Sequence, residues 1–438
     1  MNALSQTFHD SLDLRPVSRR PTTLSDETIR AVLARPVPKV EVLPGAGISN
    51  DLTSVIVATC NNLAFTRICL ESMLLNTADT PYELVVVDNG STDGSVEYLR
   101  DLSYLNPQVR VIFNQQNRGF SGANNQGLEA ARGTRLVLLN NDTIVPPSCL
   151  SRLVAHLEDP GTGIACPATN RSGNETEIAA GYETYGALLR FAESRYRSHR
   201  GETSDISSLV MFCAAMRRNV WNEVGPLDER FEFGMFEDDD YAMRLRSAGY
   251  QIVCAEDAFI HHFGQATIGK LSPTGEYGPR FHTNRERWEK KWARSWEPHH
   301  RRRNPDYEAL VRRIRREVCS TIPAGAALAV VSNGDDGLVK LGTCHVVHFP
   351  CDSNGAWTGY HPRDSREAIA DLETIRGLGV EYLVVPSTAS WWLEHYADFH
   401  RHLERTYQLL AHDSETCAVF ELSPADVTSN SREERPIA

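Results

Sequence analysis

Between residues 53 and 142, short apolar runs alternate with segments of helical spacing, and this alternation restricts the fold more than any other feature. The strand-like runs are 54–59, 83–91, 109–114 and 135–142, and the helix-like segments are 65–76, 95–102 and 121–132. A continuous apolar run such as SVIVAT is typical of a strand buried on both faces. Strands joined by helices indicate right-handed parallel crossovers. The pattern therefore predicts an α/β fold with a mostly parallel central sheet.

Polar residues follow each of these four strands. They occupy 59–61, 88–90, 117–119 and 140–142, and most of them are Asn, Asp or Gly. Ligands of open parallel sheets bind at the carboxyl ends of the strands. Ordinary loop chemistry explains one such end easily, but it explains four in succession less well. We therefore expect a ligand site along this edge of the sheet.

Changes in composition along the chain suggest five segments. We expect a polar, proline-broken arm at 1–50, a first α/β domain at 51–283, a basic and aromatic helical linker at 284–323, a smaller α/β domain at 324–424 and a tail at 425–438. In the smaller domain, VVSNGDDGLV is only a weak signal for phosphate binding, because it lacks a Walker or Gly-x-Gly-x-x-Gly pattern. Trp357, Tyr360 and the run WWLEHY could form a carbohydrate platform, although core packing explains these aromatic residues more simply.

Charge and composition exclude several classes of protein. The chain has 438 residues and a net charge of −12, which argues against a general nucleic-acid binder. No stretch reaches the roughly 20 apolar residues of a membrane-spanning helix, and the first residues lack the apolar core of a signal peptide. The ten cysteines form no C-x-x-C pair, so reduced thiols are expected and zinc is not. We expect a cytoplasmic protein, with peripheral attachment to the inner face of the cell membrane as an open alternative.

Residues 54 to about 265 contain four motifs in a recognisable order. They read SVIVATCNN, ELVVVDNGSTDGS, NRGFSGANNQGLEAARGTRLVLLNNDT and FGMFEDDDYAMRLRSAGYQIVCAEDAFIHH. Together they resemble the bacterial family 2 glycosyltransferases of the GT-A fold. The resemblance implies transfer of a hexosyl or deoxyhexosyl group from a nucleoside diphosphate sugar to a hydroxyl, with inversion at the anomeric carbon. It also suggests a glycan or lipid-linked acceptor in the synthesis of cell-envelope polysaccharides.

The same resemblance assigns roles at the strand ends. It implies that Ala58, Thr59 and Asn61 line the base and ribose pocket, that Asp88 hydrogen-bonds the base, that Asn117 and Gly119 approach the donor, and that Asn140 and Asn141 contact the nucleotide sugar. The stretch LLNNDT carries Asn140 where a fuller Asp-x-Asp motif has its first acid. Asp142 remains, and one carboxylate suffices when phosphate oxygens complete the shell of Mg²⁺ or Mn²⁺. The alternative is that Asp142 only caps its loop.

Two histidines and a run of acids complete the candidate site. By the resemblance, His261 adds a metal ligand more readily than His262, while the simpler alternative is a pair satisfied by backbone and solvent. Glu237, Asp238, Asp239 and Asp240 precede a segment of helical spacing, and adjacent carboxylates raise one another's pKa. We expect Asp238 to be the general base, with Asp240 as the second candidate. The simpler alternative is that these acids are only stabilised by the dipole at the start of a helix and have no catalytic role.

Tryptophans at 288, 292 and 296 are interleaved with Lys and Arg. Helical spacing puts the three indoles on one face, which indicates packing against the first domain or, alternatively, docking on an anionic membrane. Two other activities compete with sugar transfer. A nucleotidyltransferase would need an early Gly-rich activation loop, which the sequence lacks. A non-catalytic sugar-nucleotide-binding or scaffold protein of a polysaccharide pathway would need the acidic run to be without a role.

Overall fold

The computed structural model divides the chain into two compact units. It describes residues 14, 24, 26–40, 51–232, 234–264, 277–302, 305–332, 334–335, 337–352, 355–358 and 361–422. Among these, the first unit holds residues 14 to 264 and 282–302, and the second holds 277–281 and 305–422. The expected tail, Tyr360 and most of the expected arm lie outside the described residues.

A twisted sheet forms the centre of the first unit. Its strands are β1 (Thr53–Thr59), β2 (Tyr82–Asp88), β3 (Val109–Phe113), β4 (Arg135–Leu139), β5 (Thr143–Ile144), β6 (Thr162–Thr169), β7 (Thr203–Asp205), β8 (Cys213–Arg217) and β9 (Gln251–His262). The order is β3-β2-β1-β4-β8-β6-β9-β5, and β7 pairs with β9. The first four strands of this order run parallel, β8 is antiparallel to both neighbours, and β6 and β9 are again parallel. The predicted α/β architecture of the GT-A type is confirmed.

Helices cover both faces of this sheet. They are α1 (Asp26–Leu33), α2 (Leu63–Asn76), α3 (Ser95–Leu105), α4 (Gly119–Ala130), α5 (Cys149–Ala155), α6 (Tyr185–Ser198), α7 (Arg218–Val224), α8 (Glu237–Ser247) and α9 (Tyr277–Trp292). Neighbouring strand residues point into different cores: Ile56 joins one apolar cluster, whereas Val55 and Val57 join the other. Burial on both faces explains the unbroken apolar runs of the sequence.

A buried ion-pair cluster anchors residues 26–40 on α2. The guanidinium of Arg67 donates to Glu71 Oε1 at 2.9 Å and to the carbonyl oxygens of Leu33 and Arg35. Arg35 lies 3.3 Å from the other oxygen of Glu71. A buried carboxylate is tolerated when such partners surround it. This part of the expected arm is therefore packed onto the first unit.

The second unit is a smaller α/β domain, as predicted. It contains β10 (Ala327–Val330), β11 (His345–His348), β12 (Tyr382–Pro386), β13 (Gln408–Asp413), β14 (Cys417–Glu421) and helices α10 (Pro305–Thr321), α11 (Ser365–Gly377), α12 (Trp391–His395) and α13 (Ala397–Thr406). The sheet order is β11-β10-β12-β14-β13, with β10, β11 and β12 parallel. Trp391 and Trp392 are buried in its apolar core. Their burial supports the core-packing alternative rather than a carbohydrate platform.

One local prediction differs from the structure. Trp296 does not continue a helical face, because α9 ends at Trp292 and Ala293 has a φ of 49°. The four-residue spacing of the tryptophans thus outlasts the helix. Within the described ranges, no helix is long and apolar enough to cross a membrane.

Candidate functional site

The loops that follow β1 and β2 are tied to each other by hydrogen bonds. Asn61 and Asn62 both adopt left-handed backbone conformations, with φ of 59° and 62°, which Asn tolerates better than most residues. The Asn61 N–H donates to Ser91 Oγ at 2.7 Å, and its side-chain oxygen accepts from the Thr92 N–H at 2.8 Å. The two strand ends therefore form one rigid unit rather than two separate loops.

Asp88, the last residue of β2, carries a carboxylate that is only half satisfied. Its backbone lies opposite Thr59 in the parallel register, which puts Ala58 and Thr59 on the neighbouring strand. One carboxylate oxygen accepts from the Ser91 N–H at 3.2 Å. The other, Oδ1, is buried and has no hydrogen-bond partner among the described residues. A buried acceptor without a donor is costly, so this atom is suited to a hydrogen bond from a ligand.

Asn89 organises the third strand end, although the sequence analysis gave it no role. Its amide nitrogen donates to Asn117 Oδ1 at 2.8 Å and to the carbonyl oxygen of Gly119 at 3.1 Å. Its amide oxygen accepts from the Arg118 N–H at 2.9 Å and from Asn114. Every polar atom of this buried side chain is thus engaged in holding residues 117–119. Asn directly after a strand-end Asp was the available signal.

Gly119 begins α4 in a left-handed conformation, with φ of 76°. Its N–H donates to Asn117 Oδ1 at 2.8 Å, so Asn117 both receives this bond and is fixed by Asn89. The exposed Asn117 thereby lies in a defined position at the edge of the sheet. This order fits the donor contact that the resemblance implies for Asn117 and Gly119.

Asn140 and Asn141 face different surroundings. The Asn140 backbone N–H donates to the carbonyl oxygen of Phe212 at 2.8 Å. Asn141 is buried, and its amide nitrogen donates to Thr59 Oγ1 at 3.2 Å and to Thr66 Oγ1 at 3.0 Å. The observed contacts of Asn141 thus join β1, α2 and the loop after β4. Its contact with the nucleotide sugar remains a prediction.

Asp142 and His262 face each other across the pairing of β5 with β9. Oδ1 of Asp142 lies 3.3 Å from Nε2 of His262, and both residues are buried. The other ring nitrogen of His262, Nδ1, lies 2.8 Å from the carbonyl oxygen of Arg171 and must donate to it. The ring also stacks on Phe212, with centroids 5.0 Å apart. These contacts fix the ring and direct Nε2 at the carboxylate.

His261 occupies the opposite side of β9, where its Nδ1 lies 2.7 Å from the Tyr182 hydroxyl. Burial lowers the pKa of His261 to about 3, and the neighbouring His262 contributes in the same direction. The imidazole is therefore neutral at ordinary pH. Its Nε2 has no hydrogen-bond partner within the described part of the chain. The prediction that His261 adds a metal ligand remains untested, but the contact with Asp142 is made by His262.

The Asp142–His262 pair has the chemistry of a small cation site. In the described ranges, no group of three or more His, Cys, Asp or Glu side chains could hold a metal ion. A carboxylate oxygen and an imidazole nitrogen about 3 Å apart can still share one cation, since Mg²⁺ and Mn²⁺ sites commonly use few protein ligands when phosphate oxygens supply others. The residues present therefore fit a divalent cation that arrives with a diphosphate.

The acidic run begins helix α8, as predicted. Glu237 is buried, and burial followed by the charge of Asp238 raises its pKa well above the usual range. Burial also raises the pKa of Asp238 to about 7, against the effect of one hydrogen bond from the Met211 N–H at 3.2 Å. In the described part of the chain, Asp238 Oδ1 and Glu237 Oε2 are buried without a hydrogen-bond partner. Asp238 is thus poised for proton exchange near neutral pH.

Asp240, the second candidate for the base, lies in a different environment. It is 0% exposed, and its carboxylate accepts from Arg244 Nε at 3.0 Å and from Trp292 Nε1 at 3.0 Å. Lys291 forms a further ion pair with it. Arg244 thus engages one oxygen of the Asp240 carboxylate, and Trp292 and Lys291 engage the other. This environment favours a structural role for Asp240.

Residues 211 and 212 bridge the acidic run and the cation pair. Met211 donates its N–H to Asp238, and the next residue, Phe212, contacts both Asn140 and His262. Two consecutive Cα atoms are only about 3.8 Å apart. Asp238 and Asp142, separated by almost one hundred positions in the sequence, are therefore linked through the two residues that precede β8.

Several known proteins are similar to this chain. The model of the family "Glycosyl transferase family 2" matches residues 54–225. The O-antigen biosynthesis protein RfbC of Myxococcus xanthus is 26% identical over 234 residues, which cover 51% of this chain and 18% of that protein. The glycosyltransferase AglE of Haloferax volcanii is 26% identical over 210 residues, covering 48% of this chain and 66% of that protein. The chain thus spans less than two thirds of both relatives.

A solved structure described as GalNAc-T7 with UDP, GalNAc and Mn²⁺ aligns with a TM-score of 0.40 and 19% identity, covering 48% of this chain and 43% of that one. The family match takes in three of the four motifs and the strand ends from Thr59 to Asp142, and it stops before the acidic run at Glu237. The segment 54–225 of this chain belongs to glycosyl transferase family 2.

Proposed function

We propose that the chain is an inverting glycosyltransferase that moves a sugar from a nucleoside diphosphate sugar to a hydroxyl of a glycan or lipid-linked acceptor. The observation that carries the proposal is the bridge formed by Met211 and Phe212, which joins Asp238 to the Asp142–His262 pair. Inverting transfer needs a base on the side of the sugar opposite the departing diphosphate, because attack and departure occur in line. The candidate base and the candidate cation site both lie within the first unit.

Asp238 is the general base of this proposal. A sugar hydroxyl that donates to the buried Oδ1 would satisfy that atom and pass it a proton during attack on the anomeric carbon. A pKa near 7 means that the carboxylate is ionised in much of the protein at neutral pH and still basic enough to accept. Burial and the charge of Asp238 raise the pKa of the neighbouring Glu237 well above its usual range.

Asp142 and His262 hold the divalent cation, Mg²⁺ or Mn²⁺. When bound, such a cation neutralises the charge that develops on the leaving diphosphate. His262 is oriented for this role by the Arg171 carbonyl, which fixes the proton on Nδ1 and leaves Nε2 as the ligand atom. An imidazole ligand favours Mn²⁺ over Mg²⁺.

The strand ends receive the nucleotide and its sugar. Asp88 Oδ1 is the acceptor for a donor group of the base, and the linked loops at Asn61 and Ser91 form the walls of the base pocket. Residues 117–119, held by Asn89, then lie along the sugar or phosphates. The name of RfbC, an O-antigen biosynthesis protein, supports a polysaccharide acceptor.

Thermal unfolding with nucleotides tests the proposal without knowledge of the acceptor. UDP, TDP and GDP are each added with and without Mn²⁺, since a ligand that binds only the folded state raises the unfolding temperature by mass action. We expect one nucleotide to stabilise the protein, and to do so more strongly with Mn²⁺. Stabilisation without any metal effect would remove Asp142 and His262 from the proposal. A lack of any shift would favour the scaffold alternative.

A further inference from the structure

Residues 284–302, named here the tryptophan segment, run across the loop that leads into the acidic run at the start of α8. The Asn284 amide nitrogen donates to the carbonyl oxygens of Phe231 at 2.8 Å and Gly234 at 3.0 Å. At the other end, Arg302 donates to both carboxylate oxygens of Glu256 on β9. Both ends of the segment are therefore fastened to the first unit.

Between these ends, the segment contacts the acids selectively. Lys291 and Trp292 engage Asp240, as described above. His299 Nε2 lies 2.8 Å from Asp239 Oδ1, and Trp296 Nε1 donates to Asp239 Oδ2 at 3.3 Å. Asp238, by contrast, accepts a hydrogen bond from the Met211 N–H. The segment thus binds the third and fourth acids of the run and leaves the second to the candidate active site.

We propose that the tryptophan segment is a positioning element for the base, and that His299, through its ion pair with Asp239, keeps Asp238 able to ionise near neutral pH. The inference rests on the proposed role of Asp238 and adds a residue from outside the segment that the family match covers. His299 is a positioning residue, because it acts on Asp238 through Asp239 and does not itself receive the acceptor's proton.

The physical reason lies in the charges around Asp238. Asp239 lies next to it in the chain, and a second negative charge beside a carboxylate opposes its ionisation. His299 is the cation on this side, and its positive charge lowers the pKa of Asp238. Burial alone would lower the pKa of His299, but the charge and hydrogen bond of Asp239, together with the charges of Asp238 and Glu175, outweigh burial and raise it.

Other charged groups also surround the ion pair of His299 and Asp239. Asp238 and Glu175 also raise the pKa of His299, and Arg246 of α8 interacts with both Asp239 and Glu175. Glu175 and Arg246 are unchanged when His299 is substituted. The substitution therefore removes one charged group from the surroundings of Asp238, so its effect on the pKa of Asp238 can be measured directly.

The test follows thermal unfolding midpoints from pH 5 to pH 9, with no donor or acceptor present. Asp238 ionises less readily in the folded protein than in the unfolded one, so its contribution to stability falls as the pH rises and becomes constant above its folded pKa. Subtracting the midpoints of Asp238→Asn isolates this contribution. The pH at which the difference becomes constant reports the pKa of Asp238.

His299→Gln keeps a hydrogen-bond donor for Asp239 but removes the charge. In that background, with Asp238→Asn/His299→Gln as reference, we expect the difference to become constant at a pH higher by about 0.5 units or more. His299→Lys restores a charge and should return it towards the wild-type value. His300→Gln, an exposed neighbour, should leave it unchanged.

An unchanged value in His299→Gln would overturn the inference, as would an equal shift in His300→Gln. If His299→Gln does not fold, Asp239→Asn provides the second test: loss of that negative charge should lower the pH at which the difference becomes constant, and a rise would contradict the inference. These measurements need no nucleotide. A protein that shows the shift but binds no nucleotide would therefore disprove the proposed function and leave the inference standing.

Discussion

The loops at the strand ends and the acidic run of α8 treat their polar atoms in opposite ways. Around Asn61 and Asn89, the side-chain oxygens and nitrogens find partners in neighbouring loops. In the acidic run, by contrast, Glu237 and Asp238 each bury an oxygen that meets no donor among the described residues. A fully hydrogen-bonded network makes the loops rigid. A buried acid without a donor destabilises the fold but has a raised pKa, which suits proton transfer. Under the proposed function, the strand-end loops bind the nucleotide sugar and the acidic run accepts the proton.

Asp88 is the informative exception in the binding region. Its Oδ1 is buried without a partner among the described residues, although the surrounding network is otherwise well connected. A single open acceptor in a connected network marks the place where a ligand donor completes it. Under the proposed function, Asp88 Oδ1 is one contact point for the nucleotide and Asp238 is the base.

The largest expected effect is that of Asp238→Asn. Removing the base should lower the transfer rate by about 10²–10⁴-fold, because the acceptor hydroxyl then has no group to take its proton. Nucleotide-induced stabilisation should persist, since the strand-end loops are untouched. Measuring both in the same preparation separates the two regions. Equal loss of both would show that the acidic run belongs to the binding region.

Asp142→Ala and His262→Ala should each weaken the Mn²⁺-dependent part of nucleotide binding by about tenfold or more. The reason is that each removes one of two facing ligand atoms. Titration of the nucleotide with and without Mn²⁺ provides the measurement. Phe212→Leu, which removes only the stacking of the ring on His262, is the matched control and should have a smaller effect. Metal dependence retained in both alanine variants would contradict the assignment.

Asn89→Ala should cost roughly 1–3 kcal/mol of stability, because it leaves the Arg118 N–H and other groups of the 117–119 loop without their partner. Donor affinity should fall with it. Chemical unfolding and nucleotide titration measure the two effects. Gln115→Ala, an exposed position in the preceding loop, should change neither. Normal donor affinity in the Asn89 variant would show that this network does not serve the binding region.

The smallest expected effect is a pH dependence of the wild-type protein. Because the pKa of Asp238 is about 7, the transfer rate should fall below roughly pH 7 as the base becomes protonated. Over the same range, nucleotide affinity should change less. Rates and affinities measured from pH 5.5 to 8.5 test this. A rate that stays constant down to pH 5.5 would rule out Asp238 as the titrating base.

Sequence patterns were enough for the architecture, because burial on both faces and helical spacing are local signals. They placed β1, β2 and β4 and the start of α8 correctly. The contacts of the site were not predictable in the same way. Two adjacent residues of a strand point to opposite faces, but the pairing of Thr143 with His262, which sets His262 against Asp142, depends on register.

The acidic run shows the same limit. Four consecutive acids look alike in a sequence, yet Asp240 is surrounded by donors while Asp238 keeps an open oxygen. One of those donors, Trp292, lies 52 positions later in the chain. Only the folded arrangement separates the roles, because it is set by contacts between distant segments rather than by neighbouring residues.

The hydrogen bonds between the loops after β1 and β2 have a consequence for engineering. Asn61 is joined to Ser91 and Thr92, and the Leu63 N–H donates to Asp93 Oδ2 at 2.9 Å. Exchanging one loop alone would remove hydrogen-bond partners of the other. Grafting a new donor preference onto this scaffold therefore requires both loops to be transplanted as one module, and libraries that vary one loop at a time would sample mostly misfolded pockets.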